Sequence, residues 1–276
     1  MPRKGKISEP VVIHHLGGLL ELRVLETIKD GKEKRSNVFL VECRGSQKTQ
    51  SAPALADRSA TCVLKTFPPS EFHNRLFERE VAAYTELQRP SAAVDPEGAW
   101  AVLSTYDAES SSWPFCFGRL GLPDTAEPLQ AGGGWIRPGP HNRPVSVAKQ
   151  RQALLLEYMA DSSPLTTDRL NYEIAGKIRQ IIHELHTRRV VHGDFVDHCL
   201  WPRIGFGNIF LQKRKGSGVE EVFVMDFNRS RIIGPHPRDQ AMALEEEQQM
   251  DDLLRRALES KMAIDEVPRE LRKLSS

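Results

Sequence analysis

Three acidic residues stand where their surroundings are apolar, and each therefore needs a partner. Glu80 comes four residues after Leu76 and four before Tyr84, hence on the same helical face. A carboxylate turned toward a core requires a cation, and Lys65, near the end of the preceding apolar run Thr61–Phe67, is the available amine. Equally, Glu80 can stand at the edge of the stripe in water. Asp226 closes Val222-Phe223-Val224-Met225, a buried-strand pattern, so it meets a cation, a metal or several backbone N–H groups. Otherwise it opens a turn and caps Asn228 or Arg229. Asp194, in His192-Gly193-Asp194, follows a helix and a Val-Val pair; an acid in such a loop can act as a general base or orient a substrate. Asn208 offers an amide oxygen and Asp226 a carboxylate, the hard donors that magnesium takes while keeping waters and bridging to phosphates. Each pattern alone is short and common.

The elements that must carry these residues fall into two kinds. Leu19–Ile28 alternates apolar and charged residues as a half-buried strand does, Lys29-Asp30-Gly31-Lys32 reads as a turn, and Asn37–Cys43 as the returning strand. After a polar loop, Thr61–Phe67 gives a third strand, closed by Pro68-Pro69. Ser70 is placed to cap a helix running to Pro90, with Phe72, Leu76, Phe77, Tyr84 and Leu87 at helical spacing. Residues 91–150 read as a long irregular insert containing the strand-like Trp100–Leu103, and Ala153–Met159 is an apolar run of strand length. Beyond it, Tyr172–Arg188 is an amphipathic helix, Asn208–Gln212 and Val222–Phe227 are short strands, and Gln240–Met262 is a last helix. The fold class is α+β: a flexible N-terminus at 1–18, a sheet-rich lobe with one helix at 19–159, a helical lobe at 160–262 and a tail at 263–276. The connection is expected near Glu157–Ser163.

Composition narrows the field. At 276 residues, with 39% hydrophobic and 27% charged residues, the chain is globular rather than disordered or fibrous. Lys plus Arg number 38 against 37 Asp plus Glu, so no net field recommends nucleic acid or an anionic membrane surface as a partner. No stretch reaches the ~20 apolar residues of a spanning helix, and Met1-Pro2-Arg3-Lys4-Gly5-Lys6 has no apolar core behind it. Four scattered cysteines form no C-x-x-C pair, His14-His15 and the other histidines lack ligand spacing, and neither zinc nor a disulfide framework is indicated. These features suit a soluble, cytoplasmic protein. Glu245-Glu246-Glu247 reads as a solvated helix face.

The order of the motifs says more than any one of them. Val63-Leu64-Lys65, Glu78–Tyr84, Leu155–Met159, Val191–Asp194, Gly207–Leu211 and Val224–Asn228 follow one another as the signature segments of protein kinases do. The chain resembles a divergent member of the protein-kinase-like superfamily, and the glycine between His192 and Asp194 resembles its aminoglycoside- and choline-phosphotransferase branch. The resemblance covers about residues 19–262 and implies a two-lobed kinase-like fold with a shortened helical lobe. It implies that Lys65 holds the ATP α- and β-phosphates, that Glu80 orients Lys65, and that Glu157 to Met159 present backbone groups to adenine. It further implies that Asp194 orients or deprotonates the acceptor hydroxyl and that Asn208 and Asp226 hold Mg²⁺. Three departures stand against it. Lys29–Lys34 replaces a glycine-rich loop; Asn208 lies 14 rather than five residues after Asp194, with Cys199 at the fifth, so residues 196–204 are an insertion or a gene-model error; and no Ala-Pro-Glu follows Asp226-Phe227-Asn228. The expected activity is ATP- and Mg²⁺-dependent phosphotransfer to a hydroxyl of a protein or small molecule. The alternatives are a pseudokinase scaffold with little catalysis and an unrelated α+β interaction module.

Overall fold

The computed structural model describes residues 20–29, 36–45, 59–88, 112–122, 151–195, 206–213 and 219–266. The chain forms two compact units, Met1–Tyr158 and Met159–Ser276.

Among the described residues the first unit is an antiparallel sheet with one helix. Its strands are β1 (Leu20–Lys29), β2 (Asn37–Gly45), β3 (Ser59–Phe67), β4 (Cys116–Leu122) and β5 (Arg151–Glu157), in the spatial order β1-β2-β3-β5-β4. Register pairs Phe39 with Leu64 and Leu64 with Leu155, so one side chain per strand meets on a common face. That face gathers Leu22, Val41, Cys62, Leu64, Leu120 and Leu155 into a core in which each large aliphatic side chain contributes about 1.5–3 kcal/mol of burial. Successive residues on β3 point to opposite faces, so Lys65 and Phe67 turn the other way. Helix α1 (Glu71–Leu87) packs there on β3 and β5, with the Phe77 ring edge-on to Phe67 at 5.4 Å. As expected, Ser70 caps it: its Oγ accepts the His73 N–H at 3.2 Å, and Glu71 occupies the positive first turn. At the other end the Gln88 side-chain amide donates to the Cys116 carbonyl at 3.1 Å, fastening the helix to β4. Strand β4 lies inside the stretch read as irregular. Six of its seven residues are buried, so it lacks the in-out alternation that marks a half-buried strand, and Gly118 and Gly121 interrupt it. Trp100–Leu103 lies outside the described residues. At the far edge, β1 changes register against β2 between Val24 and Glu26 and again between Thr27 and Lys29.

The second unit opens with β6 (Ser162–Leu165), a four-residue strand not anticipated from its Ser-Ser-Pro-Leu sequence. Helix α2 (Tyr172–Thr187) follows, its first turn capped by Asn171, whose Oδ1 accepts the Ile174 N–H at 2.8 Å. Ile174, Ile178, Ile181, Ile182 and Leu185 form its buried face, as the periodicity predicts. Then come β7 (Val190–Val191), β8 (Phe206–Lys213), β9 (Glu220–Val224), a 3₁₀ turn at Phe227–Arg229, β10 (Arg231–Ile232) and helix α3 (Pro237–Glu266). Strands pair as β6-β8-β9 and as a β7-β10 ribbon, and α3 lies against α2 and β7. Strand β9 stops at Val224, which leaves Asp226 half-buried just beyond the strand rather than inside it. The expected antiparallel N-terminal sheet and α+β class are what the chain adopts. No helix among the described residues is long and apolar enough to cross a membrane.

Candidate functional site

In the first unit the sheet and helix bring Lys65 and Glu80 together. Lys65 Nζ donates to Glu80 Oε2 at 2.6 Å, with Glu80 fully buried and Lys65 5% exposed. The edge-of-stripe alternative for Glu80 is therefore excluded. The ammonium also stands 5.4 Å from the centre of the Phe67 ring. An ion pair at this depth repays its desolvation only through close geometry, and either charge alone would be costly. Glu157 ends β5 with its carboxylate engaged: Oε2 accepts the Phe115 N–H at 2.9 Å, while its own N–H donates to the Phe115 carbonyl at 2.8 Å. Burial raises the Glu157 pKa, and the Phe115 N–H works in the opposite direction. Met159, assigned with Glu157 to the adenine-facing segment by the resemblance, is a buried side chain at the start of the second unit.

In the second unit His192 organises the loop. Its Nδ1 lies 3.3 Å from the Asp194 N–H and accepts it, so Nε2 carries the proton and donates to the Met225 carbonyl at 3.0 Å. Complete burial lowers the imidazole pKa against the pull of Glu246 and the Met225 carbonyl, which agrees with a neutral ring. The ring stacks on Phe195 at 4.2 Å and meets Phe227 edge-on at 5.0 Å. His192 thus joins the Asp194 loop to the start of the Asp226 segment.

The oxygens of Asp194 are held by two residues through three hydrogen bonds. The Asn208 amide donates to its backbone carbonyl at 2.7 Å and to Oδ2 at 3.4 Å, and Arg229 Nη1 donates to Oδ1 at 3.1 Å. Asn208 therefore reaches the loop despite the 14-residue separation; residues 196–205 lie outside the described residues. Gly193 has φ +74°, and a Cβ there would lie 3.0 Å from the Arg229 carbonyl oxygen, so any side chain between the histidine and the acid is strained.

Asp226 has a left-handed backbone, φ 68° and ψ 63°, and makes no side-chain capping bond to the turn that follows. The capping alternative is excluded. The Met225 N–H donates to the Asn208 carbonyl at 3.1 Å, so Asn208 and Asp226 sit at the adjoining ends of β8 and β9. With its Nδ2 spent on Asp194, Asn208 keeps Oδ1 as an acceptor. One amide oxygen and one carboxylate are a donor set that suits a largely hydrated magnesium ion. Among the described residues no three His, Cys, Asp or Glu side chains group as a metal site.

One acid escaped the sequence reading altogether. Glu246, read as solvated, is 9% exposed and accepts the His192 N–H at 3.1 Å through Oε2 and the Gly193 N–H at 2.6 Å through Oε1. Its Oε2 also meets His186 Nε2 at 2.8 Å, and Glu247 Oε1 lies 3.0 Å from His186 Nδ1. Burial depresses the His186 pKa, but the bonds to Glu246 and Glu247 outweigh it and raise the value above 6.5. Glu245 faces solvent and Glu247 is part-exposed, because successive helical residues point about 100° apart and only one face meets α2 and the loop.

No protein-family model matches the chain, and no curated protein sequence does. Among solved structures the chain is similar to the PK-1 kinase of Cydia pomonella granulovirus, with 17% sequence identity and a TM-score of 0.36. The match takes in 77% of this chain and 53% of the viral kinase, so the chain spans about half that protein's length.

Proposed function

We propose that this chain is an ATP- and Mg²⁺-dependent phosphotransferase of kinase-like design, acting on a hydroxyl of a protein or small molecule. The observation that carries the reading is the bond from Asn208 to Asp194, which joins a loop acid to a metal-type oxygen donor across the lengthened loop. Phosphoryl transfer is mostly positioning and charge neutralisation, and the residue types match that need. In this reading Lys65, braced by Glu80, binds nucleotide phosphate oxygens. Asp194 accepts the proton as the acceptor oxygen bonds to the γ-phosphorus and the bond to the departing ADP oxygen breaks. Asn208 and Asp226 would hold the magnesium ion, which when bound neutralises charge on the phosphates. Backbone groups of the Glu157–Met159 segment face the base; the Glu157 N–H, given to Phe115, is not among them.

A scaffold without catalysis is the second reading, favoured by the charged sequence Lys29–Lys34 where a glycine-rich loop would bring backbone N–H groups to phosphate. Melting with and without millimolar Mg-ATP tests the nucleotide site. An upward shift that Asp226→Ala abolishes supports it by mass action, and no shift refutes it. ATP turnover lost in Asp194→Asn then separates enzyme from scaffold.

A further inference from the structure

Arg229 differs from an ordinary surface arginine in how firmly its backbone is held. Phe227, on one side, is fully buried against His192. Ser230, on the other, is 1% exposed, and both its N–H and its hydroxyl donate to the Phe227 carbonyl, at 3.0 and 2.6 Å. Arg231 then pairs with Val191, and the Ile233 N–H donates to the Arg189 carbonyl at 2.8 Å. The Arg229 carbonyl itself rests against Gly193. From this pinned position the side chain reaches Asp194 Oδ1 with one N–H at 3.1 Å, its one hydrogen bond among the described residues. Most of the guanidinium faces solvent, the side chain being 64% exposed. A guanidinium carries five N–H donors in a planar fork suited to phosphate oxygens, so four remain.

We infer that Arg229 is an oxyanion-binding residue of the transfer site, with the outer edge of its guanidinium taking a terminal phosphate oxygen beside Asp194. The inference rests on the phosphotransferase reading. An acceptor hydroxyl within hydrogen-bond reach of Asp194 lies within a few ångströms of Arg229, and the phosphorus that bonds to it carries three equatorial oxygens. The ion pair then has two uses: it orients the acid while the site is empty and offers its spare donors once phosphate arrives. The phosphate can be the γ-phosphate of the nucleotide or the group after transfer, and the chemistry recognised is the same.

Calorimetric titration of wild type, Arg229→Ala and Arg229→Lys tests this, using a non-hydrolysable ATP analogue with Mg²⁺, Mg-ADP, and inorganic phosphate added to Mg-ADP-loaded protein. Equal melting temperatures establish that the variants are folded. We expect Arg229→Ala to weaken the ATP analogue about tenfold, the worth of one charge-assisted bond, with Mg-ADP unchanged and Arg229→Lys intermediate. A loss confined to the inorganic-phosphate arm also supports the inference and assigns the contact to the transferred group. Unchanged binding in both arms overturns it, as does an equal loss for Mg-ADP. If wild type binds neither nucleotide, the functional reading falls and takes this inference with it; nucleotide bound with the same preference in all three proteins removes only Arg229.

Discussion

Replacing Glu246 with Gln changes one atom and breaks a junction. The carboxylate accepts three hydrogens, from the His192 and Gly193 amides and from His186 Nε2, while being 9% exposed. Glutamine keeps one acceptor oxygen and turns an NH₂ toward a donor, so one buried N–H loses its partner at about 1–3 kcal/mol. His186 loses one of its two anionic neighbours, Glu247 remaining, at roughly 1 kcal/mol more. The total is about 2–4 kcal/mol, which lowers the melting temperature of a chain this size by roughly 5–15 °C. The penalty has a pH signature. The folded His186 pKa lies above its ordinary 6.5, so its stabilisation is complete below about 6.5 and is lost as pH rises through the folded value. Glu246→Gln therefore costs most near pH 6 and less at an alkaline pH above the folded His186 value, where the charge-assisted part of the penalty is gone and the His192 and Gly193 amide bonds carry most of the rest. Thermal unfolding of both proteins at the two pH values checks this. A melting temperature within a degree of wild type refutes the clamp, and a penalty constant with pH refutes the ionisation of His186.

The other expectations are simpler to state. Lys65→Met keeps the alkyl packing but takes the ammonium from a fully buried carboxylate, and denaturant titration should show a loss of about 3–5 kcal/mol. Gly193→Ala forces a Cβ against the Arg229 carbonyl at a positive φ; a loss of about 1–3 kcal/mol is expected by the same method, and wild-type stability would contradict the close approach. His192 titrates with the opposite sign to His186: its folded pKa is depressed, so its penalty is absent above 6.5 and grows as pH falls below it. Wild-type melting temperatures measured against pH should therefore fall on the acid side of 6.5, and a flat acid limb would contradict a buried neutral ring.

How much of this could be read from residue order depends on what kind of partner each side chain has. Glu80 stood out because it interrupts an apolar stripe, and the nearby strand supplied an obvious amine. The helix over Tyr172–Thr187 was legible from its isoleucine spacing, and Ser70 from its place before an acidic turn. Glu246 was not, because its partners are backbone amides and a histidine 60 residues earlier, and its sequence neighbours are two more glutamates. Backbone donors leave no mark on composition. Strand β4 escaped for a different reason: with almost every residue buried it has no polar face to betray its period. Arg229 looked like any charged loop residue until the turn that holds it was seen to lie on Gly193.

The two register changes in β1 bear on how the protein behaves when concentrated. A sheet that ends in a regular strand presents an even row of amides and carbonyls on which a second molecule can extend it. Here the outermost strand loses step with its neighbour twice within six residues, and Glu26 and Lys29 stand at the breaks. Although Leu25 and Ile28 are exposed, β1 offers no long straight ladder for polymerisation among the described residues, and this edge of the sheet is guarded by its own irregularity.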